Sequence, residues 1–469
     1  MSGFFGIVAH KPCITELFYG TDYHSHLGTR RAGMSTIDNG TMHLNIHNIQ
    51  NNYFRTKFAS DLSEMTGNLG IGVISDTEAQ PIVVNSHLGR FSLVTVAKIN
   101  NVPELERECL ENGQQFTELS MGSTNATELI ALLITQKKSF AEGIQNVYDK
   151  IKGSCSMLLL TNDGIIAARD RYGRTPITIG QNEDGEYAIA SESHSYINLG
   201  YNTIRYIEPG EIIKITTNGL EQLKAPDDKM QICSFLWVYY GYPCVEYEDI
   251  NAEEVRYRLG ISMGKNDDIK ADFVSAIPDS GIGMALGYAN GKGIPYKRGV
   301  VKYTPTWSRS FTPVNQEARQ LVAKMKLIPS RKVLEGKEVV FCDDSIVRGT
   351  QLRDNVKMLY DYGVKRIHIR ISCPPLIHGC PFLNFSTSKN DQELVTRRII
   401  EELEGKNITD FSAYKDETSK EYANLVESIR HQIGVDTLKF NTLQSIIDAI
   451  GLDKKDICTH CFDGSSYGD

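Results

Sequence analysis

The sequence predicts two folded halves: an α+β half made of stacked sheets, followed by an α/β half built on a parallel sheet. Short β-branched segments separated by Gly, Asn and Asp fill the chain up to "KAPDDKMQ", near Ala225. Beyond this break, apolar strands such as "ADFVSAI" and "EVVFC" alternate with helical stretches such as "GIGMALGYANGK" and "QLRDNVKMLYDYG". That alternation indicates a parallel sheet with crossover helices.

Composition excludes several classes of protein. The 469 residues are 41% apolar and 23% charged, which is ordinary for a globular chain with well-filled cores. A formal net charge of −8 disfavours nucleic acid or an anionic membrane as the main partner. The sequence shows neither an apolar run long enough for a membrane span nor a secretory signal, so we expect a cytoplasmic protein. Ten cysteines are too few for a disulfide scaffold.

The stretch "VVFCDDSIVRGT" predicts an anion-binding site. Asp343 and Asp344 follow an apolar strand, and a small polar loop leads from them into the helix that begins near Gln351. Ligands of open parallel sheets bind at the carboxyl ends of strands. Backbone N–H groups at a helix start can hold a phosphate there, and the carboxylates can hold ribose hydroxyls or hydrated Mg²⁺. The alternative is a turn that only caps the helix.

The same stretch resembles the phosphoribosylpyrophosphate signature of type I phosphoribosyltransferases. Its form is similar to that of the glutamine phosphoribosylpyrophosphate amidotransferase family of purine biosynthesis. Further stretches resemble this family in the same order along the chain: "GFFGI", "IPDSGIGMALGYANGKGIPY", "NQEAR", "IRISCPP" and "DICTHCFDG". The resemblance therefore covers nearly the whole chain.

The resemblance implies a fold and an activity for each half. Residues 1–229 would form a class II glutamine amidotransferase-like domain of the N-terminal-nucleophile hydrolase type, with αββα layers. Residues 230–469 would form the type I phosphoribosyltransferase domain and carry a C-terminal cysteine cluster. The family is an enzyme family of pentosyltransferases that form 5-phosphoribosylamine from phosphoribosylpyrophosphate.

The resemblance also assigns roles in the second half. Asp343 and Asp344 would contact ribose and Mg²⁺, and Ser280 would lie near the same metal. The pyrophosphate would face Asp279 and the candidate cations Lys302, Arg309 and Lys326, each of which could instead make a surface salt bridge. The 5-phosphate loop would consist of Ser345, Ile346, Val347, Arg348, Gly349 and Thr350.

Four cysteines match the ligands of an iron–sulfur cluster found in one branch of the family. They are Cys233, Cys380, Cys458 and Cys461, the last two forming a CxxC pair. Four thiolates suit a [4Fe-4S] cluster, which the resemblance favours. Zn²⁺ is the alternative, because a set of four cysteines serves it equally well.

The glutaminase chemistry of the first half is predicted to be degenerate. The family's nucleophilic cysteine is replaced by Ser2, a weaker nucleophile even if removal of Met1 exposes its amine. The oxyanion-hole motif "HNG" corresponds to "TVA", which places Val96 and Ala97 where an asparagine and a glycine belong. Loss of one such donor costs roughly 100- to 1000-fold in rate.

Residues that recognise glutamine are predicted to be missing as well. The family's "RYST" is aligned with "GIGV", which puts Gly70 in place of the arginine that pairs with the substrate carboxylate. "SDTE" corresponds to "NATE", with Ala126 in place of the acid, and "HRGQ" corresponds to "LGTR". Without these charges the site has little affinity for zwitterionic glutamine.

Three functions remain open from the sequence. The first is a transferase that makes 5-phosphoribosylamine with ammonia rather than efficiently with glutamine. The second is a non-catalytic regulatory paralogue that binds phosphoribosylpyrophosphate or purine nucleotides, and the third is a transferase for another small amine. The resemblance further implies a homotetramer with purine nucleotide effectors.

Overall fold

The computed structural model describes residues 2–120, 122–303, 326–384, 391–405 and 408–467. Its first half contains two antiparallel sheets packed face to face. The seven-stranded sheet has the order β13-β11-β12-β1-β4-β2-β3. Its strands are β1 (Gly3–Val8), β2 (Arg31–Asp38), β3 (Thr41–Asn48), β4 (Leu69–Ser75), β11 (Thr178–Gln181), β12 (Tyr187–Ala190) and β13 (Asn202–Tyr206).

The six-stranded sheet has the order β15-β14-β10-β9-β6-β5. Its strands are β5 (Ile82–Ser86), β6 (Gly89–Ile99), β9 (Gly153–Thr161), β10 (Gly164–Ala168), β14 (Ile212–Thr216) and β15 (Gly219–Lys224). A separate small hairpin consists of β7 (Leu119–Ser120) and β8 (Ser123–Thr124).

Helices cover the outer faces of both sheets. They are α1 (Ile14–Asp22), α2 (Phe54–Phe58), α3 (Val102–Glu111), α4 (Ala126–Ile134), α5 (Phe140–Lys150) and α6 (His194–Leu199), with a 3₁₀ turn at Asp61–Ser63. One apolar cluster, which includes Phe4 and Val94, fills the space between the sheets. Phe5 packs under α1 in a second cluster, and Leu93 packs under α4 in a third. These layers confirm the predicted stacked-sheet architecture.

A four-stranded parallel sheet organises the second half, with the order β19-β22-β23-β24. Its strands are β19 (Phe273–Ala276), β22 (Glu338–Asp343), β23 (Arg366–Ile371) and β24 (Thr437–Phe440). Because the strands are short and apolar, the sheet is buried between helices. The helices are α7 (Ala252–Lys265), α8 (Ile282–Lys292), α9 (Arg331–Leu334), α10 (Thr350–Asp361), α11 (Val395–Glu404), α12 (Ser412–Lys415), α13 (Lys420–Ile433) and α14 (Leu443–Ile450).

Short elements connect the second half to the first. The strand β16 (Ile232–Cys233) pairs in parallel with β25 (Ile457–Cys458), and α15 (His460–Asp463) follows β25. The remaining elements are a π-helical turn (Leu236–Tyr240), the hairpins β17 (Glu246–Tyr247) with β18 (Ile250–Asn251) and β20 (Val300–Lys302) with β21 (Leu327–Pro329), and 3₁₀ turns at Asp391–Glu393 and Lys454–Asp456. Among the described residues, no helix combines the length and apolar character of a membrane span.

Candidate functional site

The acidic pair lies where the sequence predicts it, at the carboxyl end of a central parallel strand. Asp343 ends β22, and the Asp344 backbone N–H donates to Asp343 Oδ1 at 3.0 Å. Ser345 Oγ donates to Asp344 Oδ1 at 2.5 Å, and the Ser280 hydroxyl also bonds to the Asp344 carboxylate. Residues that follow two neighbouring strands, β19 and β22, therefore meet at one edge of the sheet.

A close backbone approach holds the 277–281 turn against β22. The Ile277 N–H donates to the Cys342 carbonyl at 2.9 Å. A Cβ at Gly281 would lie 2.3 Å from that same carbonyl oxygen, so only glycine fits there. This contact brings Ser280 to the acidic pair.

The electrostatics of the pair favour a bound cation. Burial raises the pKa of the Asp343 carboxyl well above its usual range, and the charge of Asp344 raises it further. Burial also raises the pKa of Asp344, although hydrogen bonds from Ser280 and Ser345 and the charge of Arg256 oppose that rise. Two carboxylates crowded in this way are stabilised when a metal ion shares their charge.

The loop over residues 345–350 joins the pair to α10. Gly349 adopts φ +76° and forms the N-cap of that helix, a conformation that glycine accepts without strain. Ile346 is buried in the apolar core, which anchors the loop. The Val395 N–H donates to the Val347 carbonyl at 2.8 Å, and Arg348 pairs with Glu393. The loop thus presents a helix amino terminus beside two carboxylates.

Lys302 is the one candidate cation that the described structure places on the predicted turn. Its Nζ lies 2.5 Å from Asp279 Oδ2, and both side chains are exposed enough to exchange this contact for a ligand. Lys326 directly precedes β21, which pairs with β20, and its carbonyl accepts from the Tyr303 N–H at 2.9 Å. Arg309 lies outside the described residues.

In the first half, Ser2 borders a very small cavity. Its volume is about 10 Å³, which is room for about one water molecule. Ser2 Oγ donates to Ser75 Oγ at 3.3 Å. Apolar and polar side chains share the lining, and its described residues include no lysine or arginine: they are Ser2, Leu27, Val96, Thr175, Pro176, Ser191, Glu192, Leu236 and Tyr247.

The predicted position of Gly70 in this site is wrong. In the β1–β4 register, Gly3 faces Ile74 and Gly70 faces Ile7. Gly70 therefore lies about 13 Å along the strand from the Ser2 end, at 3.3 Å per residue. Val73, which packs in the same cluster as Val96, and Ser75 hold the end of β4 nearest Ser2. Although Gly70 lies away from the Ser2 cavity, the described lining of that cavity still contains no lysine or arginine.

The other predicted substitutions cluster around β6. Val96 lines the cavity, and Thr95 Oγ1 lies 2.9 Å from Thr127 Oγ1 in the first turn of α4. That contact places Ala126, the first residue of α4, beside the "TVA" stretch. The Ala97 carbonyl accepts from the Asn384 side chain at 3.2 Å, so this strand also contacts the second half of the chain.

The four predicted cysteine ligands converge where the two halves meet. Cys233 pairs in register with Cys458 across β16 and β25. The Cys461 carbonyl accepts from the Ile377 N–H at 2.9 Å, and Cys380 Sγ accepts from the Leu383 N–H at 3.3 Å. Burial raises the pKa of all four thiols, for Cys458 to about 11. The neighbouring sulfurs add to that rise for Cys233 and Cys461.

A buried arginine accompanies these cysteines, and the sequence interpretation missed it. Arg174 is fully buried, and its charge lowers the pKa of Cys458 and of Cys380. Its guanidinium carbon lies 3.4 Å from the centre of the Phe382 ring. Nη2 donates to the Tyr467 carbonyl at 2.5 Å, and a hydrogen bond from the Arg174 side chain contributes to lowering the pKa of Cys458, while Nε and Nη1 have no oxygen or nitrogen acceptor among the described residues. "RTP" at residues 174–176 gave no sign of this role.

A second buried arginine connects the acidic pair to the domain junction. Arg256 on α7 donates to the carbonyls of Trp237 at 2.8 Å and Gly241 at 2.7 Å. Its charge also lowers the pKa of Asp344. Arg256 thus fixes the π-helical turn relative to the phosphate site. Only a guanidinium has enough donors for these carbonyls together, but a lone arginine in a helix gives no such signal.

Comparison with known proteins identifies the family. Residues 67–197 match the glutamine amidotransferase domain family. The amidophosphoribosyltransferase of Methanocaldococcus jannaschii is 32% identical over 99% of this chain and 97% of its own length. The chain belongs to the amidophosphoribosyltransferase family. A second member, from Bacillus subtilis, is 30% identical over 98% of this chain and 93% of its own.

Solved structures of this family share the fold over the full chain. The Bacillus subtilis glutamine phosphoribosylpyrophosphate amidotransferase, complexed with ADP and GMP, superimposes with a TM-score of 0.85 at 29% identity and covers 97% of its own chain. An allosteric regulatory enzyme of purine biosynthesis superimposes with a TM-score of 0.84 at 28% identity. These likenesses confirm the predicted fold class and the predicted enzyme class, a pentosyltransferase of the amidophosphoribosyltransferase family.

Proposed function

We propose that this chain forms 5-phosphoribosylamine from phosphoribosylpyrophosphate with ammonia as the nitrogen donor, rather than efficiently with glutamine. The observation that carries the proposal is the cavity of about 10 Å³ beside Ser2. Glutamine is several times larger than water, and its carboxylate needs a cationic partner that the described lining does not offer. Ammonia needs neither the space nor the partner.

In the transferase half, the proposed roles follow the geometry of the sheet edge. Asp343, Asp344 and Ser280 would hold Mg²⁺, which when bound offsets the charge of the departing pyrophosphate. The 345–350 loop would hold the 5-phosphate at the start of α10. For the pyrophosphate we propose Asp279, Lys302, Lys326 and, outside the described residues, Arg309.

These residues act by positioning and by charge. As the bond between C1 and the pyrophosphate oxygen breaks, the sugar becomes oxocarbenium-like, and the Asp343 and Asp344 carboxylates stabilise the positive ribose. The Lys302 ammonium would stabilise the negative charge of the leaving pyrophosphate once it gives up its contact with Asp279. The ammonia lone pair then attacks C1 and the nitrogen loses a proton to solvent.

For the cysteine site we propose a [4Fe-4S] cluster rather than Zn²⁺. Four sulfurs bound to one zinc at 2.3 Å would lie about 3.8 Å apart. Among the described residues, the only group of three or more candidate ligands within 4.8 Å of one another contains none of these cysteines, which supports a site wider than that of a single zinc ion. A cluster separates its thiolates more widely, and its anionic sulfurs would accept the two buried N–H groups of Arg174.

We further propose a division of the chain into domains 1–229 and 230–469, a cytoplasmic location and a homotetramer. The relative from Bacillus subtilis was solved with ADP and GMP, which supports purine nucleotides as effectors of this chain. The composition supports phosphoribosylpyrophosphate and ammonia, rather than a nucleic acid or a membrane, as partners.

Pyrophosphate release tests the nitrogen donor directly. The full chain is purified without oxygen and supplied with phosphoribosylpyrophosphate and Mg²⁺, together with ammonium, with glutamine, or with neither. We expect release with ammonium and at least about 100-fold less with glutamine, the loss expected for one missing oxyanion donor. Glutamine-dependent release equal to the ammonium rate would overturn the proposal.

Two further outcomes separate the remaining functions. If no nitrogen donor leads to pyrophosphate release but phosphoribosylpyrophosphate binds tightly, the result would favour the regulatory paralogue. Release with another small amine but not with ammonium would favour the third function. An Asp344→Asn variant is the control, because it should lose turnover under every one of these conditions.

A further inference from the structure

A cluster of two imidazoles and one carboxylate lies beside the Ser2 cavity, outside the sites described above. It consists of His26, Glu192 and His194, and one ligand atom from each lies within 4.8 Å of the other two. Glu192 Oε2 is 2.8 Å from His26 Nε2 and 3.3 Å from His194 Nδ1. Two histidines and one carboxylate form a common donor set for divalent transition metals.

One carbonyl fixes the orientation of both rings. His26 Nδ1 lies 3.1 Å, and His194 Nε2 3.0 Å, from the Tyr23 carbonyl oxygen. Since a carbonyl only accepts, both of these nitrogens donate to it, which leaves the second nitrogen of each ring as the one that can bind a metal ion. Those are the nitrogens that face Glu192. Metal-binding histidines are typically oriented in this way, by a carbonyl at the far nitrogen.

The carboxylate is held so that one oxygen remains open toward the rings. Tyr247 Oη donates to Glu192 Oε1 at 2.5 Å. Glu192 is 2% exposed and pairs with His26 through Oε2, whereas His194, 5% exposed, has its Nδ1 aimed at the same oxygen from 3.3 Å without a hydrogen bond to any described residue. Buried polar atoms without partners are costly. A metal ion between these groups would give His194 Nδ1 a partner and would share the negative charge of the Glu192 carboxylate.

We propose that His26, Glu192 and His194 bind a divalent first-row transition metal, of which Zn²⁺ is the best match to this donor set. Imidazole and carboxylate ligands suit zinc, and three protein ligands leave one coordination position for water. The His26 side chain is 19% exposed, which gives an ion a route from solvent. The site is separate from the cysteines, since none of their sulfurs belongs to this group of ligand atoms.

The proposed metal site lies between residues of the first half and tyrosines of the second half. Tyr242 stacks on His194 with ring centres 5.2 Å apart and an interplanar angle of 20°, and Tyr247 binds Glu192. Both tyrosines follow the proposed domain boundary, whereas the three ligands precede it. Glu192 also lines the Ser2 cavity. A bound metal would therefore tie the two halves together beside the former glutamine pocket.

Cobalt(II) titration of the full chain, with its cysteine cluster intact, tests the site. We expect one Co²⁺ per chain with the weak visible bands of nitrogen and oxygen ligands and without thiolate charge-transfer absorption. His194→Asn and Glu192→Gln should each weaken binding at least about 100-fold, because each removes a ligand. The matched control is His47→Asn, which breaks a single histidine–carboxylate pair of 2.6 Å and should leave Co²⁺ binding unchanged.

Several results would overturn the proposal. They are the absence of Co²⁺ binding by the unaltered chain, an unchanged affinity in both ligand variants, and thiolate bands that assign the ion to cysteine. Because a ligand variant could fail to fold, anomalous scattering from zinc-soaked crystals of the unaltered chain provides a second measurement. A zinc peak between His26, Glu192 and His194 would support the site, and a map without that peak would refute it.

Discussion

We predict that a substitution in the acidic pair at the end of β22 lowers the activity of the chain but raises its stability. Asp343→Asn removes one of two adjacent carboxylates but keeps the oxygen that accepts the Asp344 N–H. Two unit charges 4 Å apart repel by about 4 kcal/mol at an effective dielectric constant of 20. Hydrogen bonds to Asp344 offset part of this repulsion, so we expect the metal-free variant to gain about 2 kcal/mol in unfolding free energy.

Thermal unfolding with and without Mg²⁺ measures this gain. About 2 kcal/mol corresponds to a rise in Tm of roughly 4–8 °C for a domain of this size. Mg²⁺ should stabilise the unaltered chain but not Asp343→Asn, and pyrophosphate release should fall at least about 100-fold, or ~2.7 kcal/mol. The control is Asp354→Asn on α10, whose side chain is 75% exposed and which should change neither quantity.

The sign of the pH dependence follows from the raised pKa values. An acid whose pKa is higher in the folded state leaves stability intact below its unfolded pKa, and the stability is lost as the pH rises from there through the raised folded pKa. Near pH 4, which is close to the pKa of about 3.9 of an aspartate in an unfolded chain, little of this loss has developed, and the advantage of Asp343→Asn should disappear. A gain that persists at pH 4, an absence of gain at neutral pH, or undiminished turnover would refute the reasoning.

Three further perturbations test the remaining sites. Ser2→Cys should leave glutamine-dependent pyrophosphate release at least about 100-fold below the ammonium-dependent rate, and equal rates would contradict the lost pocket. Cys461→Ser should abolish bound iron and visible absorbance, whereas Cys109→Ser, a buried cysteine elsewhere, should retain both. Arg370→Met should lower the free energy of unfolding in urea by about 3–5 kcal/mol at pH 7, because it leaves buried Asp267 without its partner. Although burial raises the pKa of Asp267, Arg370 holds it at about 2, so this cost should shrink below about pH 4, and a constant cost would contradict the pairing.

The parallel half of the chain was the more predictable half, for a physical reason. The acidic pair and the 345–350 loop are contiguous in sequence, and parallel topology alone places them at a strand end. Ser280 follows the neighbouring strand, so the same rule brings it to Asp344. The cysteines required the family resemblance, because nothing in their spacing sets the β16–β25 pairing that joins Cys233 to Cys458.

The antiparallel half was predicted less accurately because register decides which residues meet. The resemblance placed Gly70 in the pocket by matching "RYST" with "GIGV", but the β1–β4 pairing brings Ile74 opposite Gly3 instead. A few residues of slip along a strand move a side chain by about 10 Å. The cluster of His26, Glu192 and His194 could not be foreseen either, since α1 and α6 bring together residues that are far apart in the sequence.

Leu27 occupies space next to Ser2 and packs against the second half of the chain. It is 3% exposed and packs in the same apolar cluster as Leu236 and Trp237 of the second half. Its Cδ1 lies 2.5 Å from where a Cβ on Gly3 would be, so it fills the space next to the would-be nucleophile. The pocket has thus become part of the packing between the halves.

This packing makes the change hard to reverse by single substitutions. A charged side chain at Leu27 would have to be buried among apolar groups, at a cost of several kcal/mol. A nucleophile restored at residue 2 would still lack space for glutamine beside it. The first half therefore contributes to the packing at the junction through Leu27, independently of any glutaminase activity.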